Sequence, residues 1–172
     1  ELPMKPVALG LATVLILVNL VGAKQTGRLQ VGIVVVMLAA LGWFAAGSAP
    51  SAETANYANF FADGVGGLLA ATGLVFVSYA GVTKVASVAE EVEDPGRNIP
   101  LGILGSLAFT TVLYVVVVTV LVGVTDPGTI AGSRTPVADA AEVTVGHAGW
   151  LAVILAAMLA LVSTANAGIL SS

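Results

Sequence analysis

Long apolar stretches, separated by short polar or Gly- and Pro-rich connections, dominate the pattern of this sequence. A helix needs about 20 mostly apolar residues to cross a bilayer, and fewer suffice when polar side chains at its ends reach the interface. Five stretches meet this condition, and we interpret them as transmembrane helices. They cover residues 6–22, 29–47, 64–88, 101–124 and 149–170.

Valine is abundant in these stretches, and in water that composition would favour β-strands. Lipid removes the ambiguity, because an open sheet would leave the backbone groups of its edge strands unpaired in the hydrocarbon. The stretches also lack the apolar–polar alternation of strands in a membrane barrel. The sequence therefore predicts an all-α membrane protein.

Composition supports lipid as the solvent for most of the chain. Of its 172 residues, 58% are hydrophobic and 9% are charged, whereas soluble domains carry about 25% charged residues. The net charge of −4 argues against a nucleic-acid partner. The chain starts at Glu1 and its last apolar stretch reads as continuing, so we expect a fragment whose partners include the lipid bilayer and the missing helices of the same polypeptide.

The basic residues in the connections indicate how the chain is oriented in the membrane. Lys24 and Arg28 lie in the first connection and Arg97 in the third, whereas residues 48–63 contain no basic residue. The positive-inside rule therefore places the first and third connections in the cytoplasm. The opposing basic residues are Lys5 and Arg134.

The third stretch, residues 64–88, gathers small and polar side chains around Gly81. A helix broken near residues 79–83 would free backbone groups at membrane depth, and these are tolerated only where they line a cavity or meet a ligand. The ends of the two half-helices would suit the carboxylate and ammonium groups of a zwitterion. The alternative is that Gly81 only lets a neighbouring helix pack closely.

A charged loop motif follows this stretch and carries a family resemblance. The motif resembles the amino acid–polyamine–organocation superfamily, in which the sixth helix ends in Tyr-x-Gly, followed by Ala-Glu-Glu and then Asn/Asp-Pro-x-Arg-x-Ile-Pro. The matching residues are Tyr79, Gly81, Ala89, Glu90, Glu91, Asp94, Pro95, Arg97, Ile99 and Pro100. The resemblance extends over nearly the whole chain and implies helices four to eight of a LeuT-like fold, with inverted repeats and a broken sixth helix.

The resemblance implies secondary active transport of amino acids by alternating access in the cell membrane. It implies a substrate-binding stretch made of Val77, Ser78, Tyr79, Ala80, Gly81, Val82 and Thr83. Val77 and Thr83 stand where the family's arginine/agmatine antiporter carries a gating Trp and a Glu. The loss of both groups favours a neutral or small amino acid over a dibasic one.

No cofactor or bound metal is expected apart from a coupling ion, Na+ or H+. Lys84 either extends its ammonium group to the headgroups or sits within the bundle in place of a cation. The resemblance to sodium symporters makes Ser163 and Thr164 candidate cation ligands. Their alternative role is ordinary hydrogen bonding between helices.

The loop residues are interpreted as structural. We expect Glu90, Glu91, Asp94 and Arg97 to clamp a cytoplasmic gate, and Pro95 and Pro100 to stop the flanking helices and fix the turn between them. His147 is assigned no role. Residues 125–146 are expected to form an outer loop that holds a short amphipathic helix.

Three other functions compete with amino-acid transport. A membrane enzyme is disfavoured because the chain has one His, no Cys and none of the common catalytic motifs. A channel or a structural bundle is compatible with the composition. A cation–chloride cotransporter of the same superfamily would differ in its broken first helix.

Overall fold

The computed structural model describes residues 23–58, 61–79 and 92–170, and within these ranges all regular elements are helices. Two 3-10 helices, Ala49–Ser51 and Thr54–Tyr57, lie between the first two α-helices. The predicted all-α class is confirmed, whereas the predicted helix 6–22 lies outside the described residues. The α-helices are α1 (Ala23–Ser48), α2 (Gly64–Ser78), α3 (Pro95–Val124), α4 (Pro127–Gly132), α5 (Pro136–Val145) and α6 (His147–Leu170).

Three helical segments within the described residues are long and apolar enough to cross a membrane. They are Gln30–Ser51 with 22 residues, Pro95–Val124 with 30 residues and His147–Asn166 with 20 residues. Large apolar side chains along them are exposed, and a soluble protein rarely presents such extensive apolar surface to water. The chain is therefore part of a multi-pass membrane protein, with lipid or further helices covering these faces.

Helix α2 is apolar but too short to span a bilayer. Its 15 residues rise about 22 Å, whereas the hydrocarbon core is about 30 Å thick. The helix ends at Ser78, and the backbone N–H of Tyr79 closes its last turn on the carbonyls of Phe76 and Val77. The predicted break stays a prediction, because residues 80–91 lie outside the described residues.

Helices α1, α5 and α6 belong to one of two compact units. Helices α1 and α6 run antiparallel, since Ser48 at the end of α1 bonds Thr144 just before α6, whereas Gln30 bonds Ser163 late in α6. Small residues allow α5 to pack closely in this unit. The buried alanines are Ala138, Ala140 and Ala141, each at most 2% exposed.

Two glycines of this unit have no room for a side chain. A Cβ on Gly47 would lie 3.0 Å from a methyl group of Val145, and a Cβ on Gly149 would lie 2.9 Å from the Cβ of the same valine. Close approach through small residues is how membrane helices gain van der Waals contact, since lipid is as apolar as the side chains themselves.

A hydroxyl pair fixes the end of α1. The oxygens of Ser48 and Thr144 are 2.6 Å apart, and Thr144 donates its single hydroxyl proton to the carbonyl of Ala140 at 2.8 Å. Ser48 must therefore be the donor to Thr144. Because Ser48 is fully buried, this bond satisfies a polar group that would otherwise be costly to bury.

The second unit contains α2, α3 and α4. The segment that includes the 3-10 helix Thr54–Tyr57 covers the C-terminal end of α3. The backbone N–H of Glu53 and the side-chain amide of Asn56 both donate to the carbonyl of Gly123, at 2.8 and 2.7 Å. The last four carbonyls of a helix have no partner within it, so these two donors satisfy one of them.

Helix α3 begins at Pro95, so the prediction that Pro100 stops a helix is wrong: Pro100 lies inside α3. Proline is well tolerated at the first helical position, where its missing N–H has no partner to lose. Pro100 removes one later bond, to the carbonyl of Gly96, and the helix continues. Asp94 precedes the helix in the left-handed conformation, with φ of 48° and ψ of 62°.

Two further bounds differ from the prediction. Helix α1 begins at Ala23, six residues before Leu29, and α6 begins at His147. Both extensions are polar or Gly-containing turns that hydropathy alone does not register as helical. The short helix expected within residues 125–146 is present as α5.

The close contacts at Gly123 generate a prediction for stability. An added Cβ would lie 2.7 Å from the Cβ of Ala52 and would crowd the hydroxyl of Tyr57. We expect Gly123→Ala to destabilise the full-length protein by about 1–3 kcal/mol, as overpacking does elsewhere. Thermal unfolding in detergent measures the change.

Gly102→Ala is the matched control, because a Cβ on Gly102 of the same helix meets no atom within 4 Å. It should leave the unfolding temperature unchanged or raise it slightly, since alanine favours helix over glycine. Equal behaviour of the two variants would contradict the described packing around Gly123.

Candidate functional site

The C-terminal end of α2 carries the described part of the predicted substrate-binding stretch. Val77, Ser78 and Tyr79 are described, and none of the three carries a charge. Seven other predicted site residues lie outside the described residues. They are Ala80, Gly81, Val82, Thr83, Lys84, Glu90 and Glu91.

The last turn of α2 is accessible and polar at its end. The side chain of Val77 is 68% exposed, and the exposed hydroxyl of Ser78 donates a long bond of 3.5 Å to the carbonyl of Leu74. The final carbonyls of a helix point beyond its end without helical partners. Inside a membrane, such groups require a donor from protein, water or a ligand.

Tyr79 attaches the end of α2 to α3. Its hydroxyl lies 3.2 Å from the hydroxyl of Thr111, and Thr111 donates its own proton to the carbonyl of Leu107 at 2.8 Å. Tyr79 is therefore the donor to Thr111. The ring of Tyr79 also meets that of Tyr114 edge to face, with centroids 5.9 Å apart and an interplanar angle of 61°.

These contacts show at which level along α3 the helix α2 ends. Helix α3 is about 45 Å long, and Thr111 and Tyr114 lie near the middle of its 30 residues. The hydroxyl of Tyr57, which precedes α2, donates to the carbonyl of Thr119 near the C-terminal end of α3, at 2.7 Å. The chain thus runs from one end of α3 at Tyr57 to about half its height at Tyr79.

The predicted cation ligands late in α6 hydrogen bond to protein groups. The side-chain amide of Gln30 in α1 donates to the hydroxyl of Ser163, and Thr164 donates to the carbonyl of Ala160 at 2.9 Å. Gln30 was not among the sequence-predicted site residues. The sequence feature that could have identified Gln30 is its position as a polar residue at the start of the long apolar stretch 29–47.

The loop residues before α3 are held by local hydrogen bonds. The carbonyl of Asp94 accepts from the backbone N–H groups of Arg97 and Asn98 at 3.1 and 3.0 Å. The side chain of Asn98 reaches back to the carbonyl of Glu93 at 2.5 Å. The predicted charge clamp stays a prediction, since Glu90 and Glu91 lie outside the described residues.

His147 has contacts that the sequence interpretation did not assign. Its ring stacks on that of Trp150, with centroids 5.5 Å apart and an interplanar angle of 8°. A ring nitrogen lies 3.5 Å from a carboxylate oxygen of Glu142, and both side chains are more than half exposed. The spacing of three residues between His147 and Trp150, which places them on one helix face, was the available signal.

Comparison with known proteins identifies the protein family. Residues 3–172 match the amino acid permease family. Over 116 residues the chain is 34% identical to a branched-chain amino acid permease of Bacillus subtilis, covering 67% of this chain and 25% of that one. Over 165 residues it is 30% identical to the inner membrane transport protein YbaT of Escherichia coli, covering 94% and 38%.

A third relative is the cationic amino acid transporter 1 of Arabidopsis thaliana, 31% identical over 116 residues that make up 64% of this chain and 19% of that protein. The chain therefore spans between a fifth and two fifths of the length of these relatives. These relatives are named as permeases or transport proteins. The chain belongs to the amino acid permease family.

The contact between Gln30 and Ser163 generates a test of the two roles proposed for Ser163. If Ser163 serves to pair α1 with α6, Ser163→Ala and Gln30→Met should each lower stability by about 0.6 kcal/mol, the average for such bonds in membranes. The double variant should then lose no more than the larger single change. Thermal unfolding of the full-length protein measures all three.

The same variants are compared for sodium dependence of uptake. Ser106→Ala, which removes an exposed hydroxyl from α3, is the control for loss of a hydroxyl. If Ser163→Ala removes sodium dependence and Gln30→Met does not, Ser163 is an ion ligand and the pairing role is wrong.

Proposed function

We propose that the intact protein is a secondary active transporter of amino acids. The observation that carries the proposal is the position of the end of α2, an apolar helix that stops at Ser78 about halfway along α3. Discontinuous helices of this kind provide substrate sites near the midplane in transporters built from inverted repeats. Membership of the amino acid permease family supports the same function.

A neutral or small amino acid is the proposed substrate class. Val77 offers an apolar surface where the resemblance places a gating aromatic residue in a dibasic-substrate carrier. An ammonium group on a substrate side chain would need a paired carboxylate in a buried site, and Val77, Ser78 and Tyr79 supply none. The names of the relatives include both branched-chain and cationic amino acids.

Alternating access is the proposed mechanism. The end of α2 supplies carbonyl groups for the substrate ammonium group, and residues 79–83 are proposed to continue the site. A gradient of Na+ or H+ would drive the cycle, and Lys84, Ser163 and Thr164 are the proposed coupling residues. Glu90, Glu91, Asp94 and Arg97 are proposed to form the cytoplasmic gate.

The family match weighs against the rival functions. The relatives described above are named as permeases or transport proteins, two of them for amino acids, which favours carriage of an organic solute over a channel or a structural bundle. A membrane enzyme finds no support in the relatives.

Uptake by the full-length protein in proteoliposomes tests the proposal. We expect labelled neutral amino acids to accumulate when an inward gradient of H+ or Na+ is imposed, and not when an ionophore collapses that gradient. Protein-free liposomes are the control. Folded protein that transports no amino acid under either gradient would contradict the proposed function.

Access of water to the end of α2 provides a second test. The 172 residues contain no cysteine, so no native thiol in this region competes with an introduced one. We expect Val77→Cys to react with a membrane-impermeant thiol reagent and to be protected by substrate, because a thiol reacts as thiolate and needs water. Labelling rates with and without substrate are the measurement.

Leu69→Cys is the control for this test. Leu69 lies earlier in α2 and is 67% exposed, similar to Val77, but we expect lipid rather than water to cover it. Equal labelling of the two cysteines, or no protection of Val77→Cys by a transported amino acid, would remove the end of α2 from the substrate pathway.

A further inference from the structure

We propose that Thr111 and Tyr114 of α3 are positioning residues of the transport site and act through Tyr79. The role rests on the proposed function, because it assigns two residues from a second helix to the site at the end of α2. Neither residue lies in the stretch that the sequence motif marks. Their part is to fix where the last turn of α2 stops within the membrane.

The hydrogen bonds form a chain with one direction. Tyr79 donates to Thr111, and Thr111 donates to the carbonyl of Leu107, one turn earlier in α3. A threonine hydroxyl has one proton, so Thr111 can accept from Tyr79 only while it donates to its own helix. Successive bonds in such a chain polarise and strengthen one another.

This direction decides what Tyr79 offers to a substrate. Its phenolic proton is used on Thr111, so the hydroxyl has only lone pairs left and cannot also donate to a substrate carboxylate. The group that recognises a carboxylate must therefore come from elsewhere in the site. Tyr79 holds the end of α2 in place instead.

The ring contact adds a second attachment. Thr111 and Tyr114 are three residues apart and lie on the same face of α3. Tyr114 meets the ring of Tyr79 edge to face at 5.9 Å, while Thr111 holds its hydroxyl. Together they fix both the tip of the Tyr79 side chain and the plane of its ring.

The attachment controls the backbone because Tyr79 caps α2. Its N–H closes the last turn on the carbonyls of Phe76 and Val77. A shift of the Tyr79 side chain therefore shifts the turn whose carbonyls face the substrate. Loss of the attachment should weaken substrate binding before it slows the conformational cycle.

Thr111→Val in the full-length protein tests the role, because it replaces the hydroxyl with a methyl group of similar shape. We expect the apparent KM for amino-acid uptake to rise about three- to tenfold, with the maximal rate per folded protein essentially unchanged. Thr111→Ser keeps the hydroxyl and should restore the wild-type KM. Thr119→Val, the same change on the same helix at an exposed side chain, should leave KM unaltered.

Tyr79→Phe completes a double-mutant cycle and removes a single oxygen atom, so it gives a measurement even if Thr111→Val folds poorly. It should raise KM by a similar factor, and the double variant should rise no further than the larger single change. Wild-type KM in folded Thr111→Val or Tyr79→Phe, or independent effects that multiply in the double variant, would overturn the positioning role. Absence of uptake by the wild-type protein would instead count against the proposed function.

Discussion

Every backbone polar group inside lipid must find a partner, and this constraint governs the described structure. Helices satisfy it along their length but not at their ends. In the part of the chain that the structure describes, α3 ends in a polar connection, where Glu53 and Asn56 supply donors to the carbonyl of Gly123. By contrast, α2 ends at Ser78 beside the middle of a spanning helix. The proposed substrate site lies at this end, where carbonyl groups can accept hydrogen bonds from an ammonium group.

The two units use the same device to join elements through hydroxyl groups. In each, a threonine donates to the carbonyl four residues earlier in its own helix and so becomes an acceptor for a hydroxyl from another element. Thr144 accepts a hydrogen bond from Ser48 in this way, and Thr111 accepts one from Tyr79. A helix thereby presents an acceptor to another element without leaving a buried polar atom unsatisfied. Replacing such a threonine with valine would keep the shape of the side chain but remove the hydrogen bond between the two elements.

Within the described residues, the apolar pattern was sufficient to predict the long helices and their approximate places, since length and hydropathy decide what crosses a bilayer. It could not place the start of α3, because proline is acceptable at the first position of a helix, as at Pro95, and because α3 continues through Pro100 despite the lost bond. The motif directed attention to Tyr79 but not to Thr111 or Tyr114. Their role depends on which faces of two helices meet, and hydropathy carries no information about rotation when all faces are apolar.

The length of α3 has a consequence for the membrane that surrounds the protein. A helix of 30 residues, about 45 Å long, exceeds a hydrocarbon core of about 30 Å, so it must tilt or project, and the degree depends on bilayer thickness. Tyr79 is fastened at its mid-height. We therefore expect a change in the inclination of α3 to shift the end of α2, so that the acyl-chain length of the lipid would influence the geometry of the proposed site.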